Sequence, residues 1–216
     1  EPYMQVCTPI HMLTYNGQDV AKPKELACYD INKVLGSGAY GTVYPVDSYS
    51  MGYSLQSLTY INAQRVVKVL ENVTEDTKKQ VNKEYELGQL TPHLDMQPPI
   101  FITTGNTQTG YIVMNYLPGG ELDSLISDGS IDALTTAQKL ELTYKLLLAL
   151  RDQVHSCGLV HRDLKTQNIV VSLKPTIEVN IIDYGLAKEC NVDDNRFPGS
   201  PLYAAPELFA TMTTPV

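Results

Sequence analysis

The stretch His161-Arg162-Asp163-Leu164-Lys165-Thr166-Gln167-Asn168 places acid, base, cation and metal-ligand side chains within eight consecutive positions. Asp163 can accept a proton, Lys165 can neutralise an anion, and Asn168 offers a carbonyl oxygen of the kind that hard divalent cations prefer. Asp183-Tyr184-Gly185 begins fifteen positions after Asn168 and adds a carboxylate that could serve the same ion. The plainer reading of the octet is a polar surface turn between two buried strands. What separates the two readings is whether the rest of the chain supplies elements able to hold these groups.

Tyr29 to Tyr44 alternates apolar and polar residues around Gly36-Ser37-Gly38-Ala39-Tyr40-Gly41-Thr42-Val43, which predicts a hairpin. Glycines at its turn would let backbone N–H groups approach a phosphate, since no Cβ intervenes. The G-x-G-x-x-G spacing leads into a strand rather than a helix, which argues against a dinucleotide-binding fingerprint. Residues 1–28 predict an extended arm, and residues 45–64, rich in Ser, Tyr and Asn, a long connection. Arg65-Val66-Val67-Lys68-Val69-Leu70 predicts a strand interrupted by one cation, which on local pattern alone could simply face solvent. Thr74 to Leu90 predicts a helix with a Thr cap and with Glu75 and Asp76 in its first turn. It carries two candidate carboxylate partners for Lys68, Glu84 and Glu86, of which Glu84 is preferred. Ile100–Thr104 and Tyr111–Met114 predict two strands around a turn, and Leu134–Cys157 a long buried helix stopped by Gly158. Ile169-Val170-Val171 and Ile177–Ile182 predict a strand pair that presents Asp183 at its end.

Two further segments complete the set: Val113-Met114-Asn115-Tyr116-Leu117-Pro118-Gly119-Gly120-Glu121-Leu122 and Gly199-Ser200-Pro201-Leu202-Tyr203-Ala204-Ala205-Pro206-Glu207. In order, these segments resemble the glycine-rich loop, strand lysine, hinge, catalytic loop, metal-binding triplet and activation-segment end of the eukaryotic-type protein kinases. The resemblance covers residues 36 to 207. It implies an α+β, bilobal kinase-like fold, with a small antiparallel-sheet N-lobe carrying one key helix and a mainly helical, partial C-lobe. The implied boundaries are an arm at 1–28, the N-lobe at 29–114, the hinge at 115–120 and the C-lobe at 121–216.

The implied activity is transfer of the γ-phosphoryl group of Mg·ATP to a protein hydroxyl. By this resemblance Asp163 accepts the proton of the substrate hydroxyl, Lys165 neutralises the γ-phosphate, and Asn168 with Asp183 binds Mg²⁺. Lys68 would hold the α- and β-phosphates and be fixed by Glu84, with Glu86 kept open. Gly36, Ser37, Gly38, Gly41, Val43, Val66, Met114, Asn115, Leu117, Glu121 and Val170 would surround the nucleotide, Asn115 and Leu117 through their backbone groups and Glu121 near the ribose. His155 and His161 are expected to make core hydrogen bonds. Lys165, together with Ser200 before Pro201, resembles the serine/threonine class. A pseudokinase scaffold or a small-molecule phosphotransferase would share much of this pattern; the complete set of reacting groups favours the protein kinase over the first, and the G-S-P-x-Y-x-A-P-E element over the second.

Several departures from the family carry their own expectations. Val66 stands where Ala is usual, and Tyr184 where Phe is usual; a phenol can fill the same slot if its hydroxyl finds a partner. Ala187 to Pro198 contains no Ser, Thr or Tyr, so Asp193 or Asp194 is expected to pair with Arg162 in place of a phosphate. The helices that follow the A-P-E element in the family do not follow here. The chain is therefore expected to be either a piece of a longer kinase or a pared-down one, with an apolar underside that a protein partner could cover.

Composition bounds the rest. At 216 residues, 43% hydrophobic and 19% charged, the chain can bury a core and is not of disordered type. A net charge of −8 disfavours non-specific attraction to nucleic acid or an anionic membrane, and no run of eighteen apolar residues occurs. Cys7, Cys28, Cys157 and Cys190 are scattered without C-x-x-C pairing, which suits a reducing, cytoplasmic setting. The chain begins at Glu1 with no Met or signal region, as expected of a trimmed or processed chain.

Overall fold

The computed structural model describes residues 5–9, 13–15, 18–20, 25–38, 41–51, 59–60, 64–191 and 199–206. They fall into two compact units, one formed by residues 1–85 with 94–116 and the other by residues 86–93 with 117–216.

The first unit is built on an antiparallel sheet. Its strands are β1 (Gln5–Pro9), β4 (Glu25–Asp30), β5 (Gly36–Gly38), β6 (Gly41–Met51), β7 (Thr59–Tyr60), β8 (Arg65–Leu70), β9 (Ile100–Thr104) and β10 (Thr107–Asn115), in the order β1-β4-β6-β8-β10-β9 with β5 and β7 paired to β6. A separate ribbon pairs β2 (Leu13–Tyr15) with β3 (Gln18–Val20). Residues 5–9 and 25–30 thus enter the sheet as strands, where the sequence suggested an arm. The predicted connection at 45–64 is also shorter than expected, because β6 continues to Met51. Pairing with β4 through Glu25↔Met51 supplies the ladder that its Ser- and Tyr-rich composition did not advertise.

Alternation along β8 sorts its side chains onto two faces. Val67 and Val69 join Tyr29 and Val113 in a buried cluster, with Tyr44, Val46, Ile100 and Tyr111 packed against it. The opposite face carries Val66 and Lys68. The helix α1 (Glu75–Gly88) begins as its sequence suggests: the Thr77 N–H donates to Thr74 Oγ1 at 3.2 Å, and Glu75 and Asp76 occupy the first turn.

In the second unit, β11 (Gly120–Glu121), β13 (Ile169–Ser172) and β14 (Glu178–Ile181) form a small sheet, and β12 (Leu159–Val160) pairs with β15 (Lys188–Glu189). Among the described residues, α2 (Leu122–Ser127) and α3 (Thr136–Ala149) accompany them. Thr135 and Gln138 cap α3 reciprocally, each side chain accepting from the other's backbone N–H at 3.3 and 3.0 Å. The predicted helix to Cys157 is only partly present. After Ala149 the chain widens into a π turn, Leu150–Val154, and then tightens into a 3₁₀ turn, His155–Cys157, that Gly158 ends at φ 71°. Nor is the helix buried throughout: Ala149 and the following Val154 are buried, while Leu140, Tyr144 and Leu147 form a stripe at helical spacing, each at least 60% exposed. No helix among the described residues is long and apolar enough to cross a membrane.

Candidate functional site

Within the first unit, strand register gathers the residues of the glycine-rich loop, the lysine strand and the segment before Tyr116. Val43 lies opposite Lys68, and Met114 opposite Val66, so all four project from one face of the sheet. Lys68 Nζ donates to both carboxylate oxygens of Glu84, at 2.9 and 3.1 Å, with the two side chains each 14% exposed. Glu86 is exposed. A lysine that local pattern could have left in solvent is thus held by an anion one helix away.

Gly36, Ser37 and Gly38 form the short strand that pairs with Val43, Thr42 and Gly41. Gly41 has φ 117°, and a Cβ there would stand 2.5 Å from the Val69 carbonyl oxygen. Its glycine is required by the close approach of β8, a reason additional to any ligand. Ala39 and Tyr40 lie outside the described residues. The Asn115 N–H, expected to serve a nucleotide, donates instead to the Leu94 carbonyl at 2.8 Å. The sequence could not foresee that bond, because Leu94 lies on a separate turn.

Within the second unit, Glu121 lies opposite Val170 across the β11–β13 pair. The preceding turn requires Gly119, at φ 113°, because a Cβ would collide with the Val171 carbonyl. Leu117, half-buried, leads into that turn.

The octet from His161 to Asn168 is densely bonded. Asp163 is buried at 7% exposure. Its Oδ2 accepts from Lys165 Nζ at 2.9 Å, and its Oδ1 accepts from the Ser200 N–H at 2.8 Å and the Ser200 hydroxyl at 2.7 Å. Burial alone would raise the Asp163 carboxyl, but the bonds from Lys165 and Ser200 outweigh it and hold the group below the ordinary carboxylate value. Asn168 Nδ2 donates to the Asp163 carbonyl at 2.8 Å and to Oδ2 at 3.3 Å. That orientation commits the amide N–H groups to Asp163 and leaves Oδ1 as an acceptor.

Asp183 follows β14 with φ 65°, and Arg162 has φ 66°; both are left-handed conformations uncommon for side-chain-bearing residues. The Asp183 Oδ1 accepts from the Gly185 N–H at 3.3 Å, and the Ile182 N–H donates to the Asn168 carbonyl at 3.0 Å, which ties the two predicted metal ligands' backbones together. His161 donates from Nε2 to the Ile182 carbonyl at 3.0 Å, while Nδ1 accepts from the Asp163 N–H at 3.4 Å. These roles define one neutral tautomer, and burial pushes the His161 pKa down in agreement. His155, expected to be a core residue as well, is exposed. It sits on the 3₁₀ turn that replaces the end of the predicted helix, so its ring faces outward.

Tyr184 is buried at 1% exposure, and its hydroxyl donates to the Gln153 carbonyl at 2.9 Å. The π turn at Leu150–Val154 contains that carbonyl, so the phenol finds its partner where the helix departs from α geometry. Its ring stands 5.0 Å from that of His161 and 6.2 Å from that of His93. Gln153 also reaches β14, donating to the Val179 carbonyl and accepting from the Ile181 N–H at 2.8 Å. Sequence reasoning missed Gln153, because a polar residue within a helical pattern gives no sign that its backbone will be needed.

Arg162 Nε donates to the Leu186 carbonyl at 2.7 Å. Asp193 and Asp194, expected as its partners, lie outside the described residues, as does Glu207. Sequence reasoning also missed Asp123, whose Oδ1 accepts from the Thr166 hydroxyl at 2.7 Å; Thr166 in turn meets Tyr203 Oη at 3.0 Å.

Comparison with known proteins agrees with this arrangement. The model of the protein kinase domain matches residues 29–215. The chain is 28% identical to the probable serine/threonine-protein kinase fhkA of Dictyostelium discoideum, over 85% of this chain and 30% of that protein. It is 28% identical to CBL-interacting protein kinase 5 of Oryza sativa subsp. japonica, over 83% of this chain and 37% of that protein. It is 29% identical to CBL-interacting serine/threonine-protein kinase 21 of Arabidopsis thaliana, over 86% of this chain and 42% of that protein. The chain therefore spans 30–42% of the length of these relatives. With its motif residues set in an antiparallel sheet and a densely bonded catalytic loop, and with the family match running from Tyr29 almost to the last residue, this chain belongs to the protein kinase domain family.

Proposed function

We propose that this chain is the catalytic part of an ATP-dependent protein serine/threonine kinase. The observation that carries the reading is the Asp163 carboxylate, buried yet held ionised by Lys165 and Ser200. A carboxylate so placed can accept the hydrogen bond, and then the proton, of an alcohol. The names of the relatives, serine/threonine-protein kinases in two of three cases, support the same substrate class.

In the reaction, the bond from the γ-phosphorus to the ADP oxygen breaks, a bond to the substrate's hydroxyl oxygen forms, and the hydroxyl proton passes to Asp163. Lys165, 2.9 Å from Asp163, would neutralise the γ-phosphate from a position beside the acceptor hydroxyl. Lys68, fixed by Glu84, would hold the α- and β-phosphates. Gly36, Ser37, Gly38 and Gly41 would cover them with backbone N–H groups, while Val43, Val66, Met114, the Asn115 carbonyl, Leu117, Glu121 and Val170 would border the rest of the nucleotide. The donor set fits Mg²⁺: Asn168 Oδ1 and the Asp183 carboxylate are hard oxygens, and such sites take few protein ligands because phosphate oxygens and water complete the shell. When bound, the ion would neutralise phosphate charge. Phosphoryl transfer asks for positioning and charge neutralisation more than covalent chemistry, which is why these residue types suffice.

Two further elements belong to this reading. Activity would need no phosphate on the loop, since residues 187–198 offer no hydroxyl and Arg162 is engaged by a backbone carbonyl. A covering polypeptide would lie over Leu140, Tyr144 and Leu147, whose exposure supports it.

The test is Mg·ATP-dependent labelling of a peptide library containing Ser, Thr and Tyr acceptors, with Asp163→Asn as control. Labelling of Ser/Thr peptides by the parent and its loss in Asp163→Asn are expected. Labelling that persisted in Asp163→Asn would overturn the mechanism, and ATP binding without any labelling would favour a scaffold role.

A further inference from the structure

The turn Pro201–Tyr203 is tied to the catalytic loop at both ends. At one end Ser200 donates twice to Asp163 Oδ1, at 2.8 and 2.7 Å, and its hydroxyl accepts from Lys165 Nζ at 3.5 Å. At the other end Tyr203 Oη lies 3.0 Å from Thr166 Oγ1, which lies 2.7 Å from Asp123 Oδ1 on the first turn of α2. Thr166 has one hydroxyl hydrogen, and a carboxylate can only accept. The short bond to Asp123 therefore takes that hydrogen, and the Tyr203 hydroxyl must be the donor to Thr166. The three groups form a directional relay, Tyr203 to Thr166 to Asp123, ending on an acceptor that gains from carrying negative charge.

We propose that this relay is a positioning device for the protein substrate: it fixes the 200–203 turn beside Asp163, so that a peptide bordering the turn presents its hydroxyl to the carboxylate. The proposal rests on the kinase reading above, because it assigns Asp163 to the acceptor hydroxyl. Within that reading the placement follows from shared atoms. Asp163 Oδ1 is occupied by Ser200, so a hydroxyl that reaches the same carboxylate must arrive alongside residues 200–203. Lys165 joins the two ends, bonding Asp163 at 2.9 Å and immediately preceding Thr166 in the chain. A turn anchored only through Ser200 could pivot about that residue; the second anchor through Thr166 removes the pivot. None of the three relay residues belongs to the set assigned to the nucleotide, so their loss should be felt by the peptide and spare ATP.

The test compares Thr166→Val, which keeps the shape and removes the hydroxyl, with Thr166→Ser, which restores it, and with Tyr203→Phe alone and combined with Thr166→Val. Steady-state kinetics with a Ser/Thr peptide identified from the parent's labelling should show Thr166→Val losing about tenfold in peptide kcat/KM, the size expected for a lost charge-assisted hydrogen bond. KM for ATP should stay within about twofold, Thr166→Ser should recover most of the loss, and the double variant should be no worse than Thr166→Val alone, since both break one relay. Equal losses for peptide and ATP, no rescue by Ser, or additive losses would overturn the proposal. Hydrogen exchange of the 199–204 amides reads the relay without catalysis: faster exchange in Thr166→Val than in Thr166→Ser is expected, and equal exchange overturns it. A parent that labels no peptide while the exchange difference persists would refute the kinase reading and leave the relay standing.

Discussion

Replacing Tyr184 by Phe removes one oxygen from a fully buried ring and leaves the Gln153 carbonyl without the hydroxyl that now bonds it at 2.9 Å. A net hydrogen bond is worth about 1 kcal/mol, and a buried acceptor left unsatisfied costs about 1–3 kcal/mol. Phe is cheaper to bury than Tyr, which returns part of this, so the expected loss is about 1–2 kcal/mol. For a domain of this size each kcal/mol lowers Tm by roughly 2–4 °C, so thermal unfolding of the variant should fall by roughly 2–8 °C. The ring would still fill the same space against His161 and His93, so peptide labelling should survive. Alkaline unfolding gives a second readout. Burial pushes the Tyr184 pKa up from its ordinary value of 10.0, so the folded state keeps a proton that the unfolded chain releases. That stabilising contribution is complete below pH 10 and is lost as pH climbs above it, a loss that Tyr184→Phe should lack. A Phe variant with unchanged or higher Tm, and with the parent's alkaline profile, would refute the role given to the hydroxyl and the π turn.

Glu84→Gln should leave Lys68 a half-satisfied cation at 14% side-chain exposure, lowering stability by about 1.5–3 kcal/mol and weakening ATP binding about tenfold, as read by thermal shift with and without Mg·ATP; Glu86→Gln should do neither, and equal effects would contradict the assigned pairing. His161 is buried and His93 half-buried, and desolvation depresses the pKa of both, so unfolding exposes sites that bind protons more readily. Stability should therefore be complete above about pH 6.5 and fall as acidity increases below it, with His161→Gln shallower than the parent in a plot of unfolding free energy against pH. A variant as acid-sensitive as the parent would remove His161 from that account.

The groups proposed to react are legible because each lies in a short segment whose local pattern is its own evidence. Asp163, Lys165 and Asn168 share one loop, Asp183 follows a β-branched strand, and Lys68 interrupts another. Apolar, β-branched runs likewise announced β8, β13 and β14, and the Thr74 cap announced α1. Their chemistry depends on residue type and near-neighbour spacing, which a linear chain records directly.

The partners were a different matter. Between Glu84 and Glu86 the sequence offered two carboxylates two positions apart, and the rotation of α1 against β8 decided which one meets Lys68. The Asn115 N–H was spent on Leu94, Tyr184 on a carbonyl exposed by a π turn, and Thr166 on Asp123 and Tyr203, 43 and 37 positions away. Each of those bonds joins groups that many residues possess, so no residue type marks them in advance. The sequence by itself determined which side chains could do the chemistry and the family to which the chain belongs. Tertiary structure alone decided which hydrogen bonds hold those side chains, because a backbone carbonyl or a hydroxyl becomes a specific partner only when folding brings a distant segment within about 3 Å.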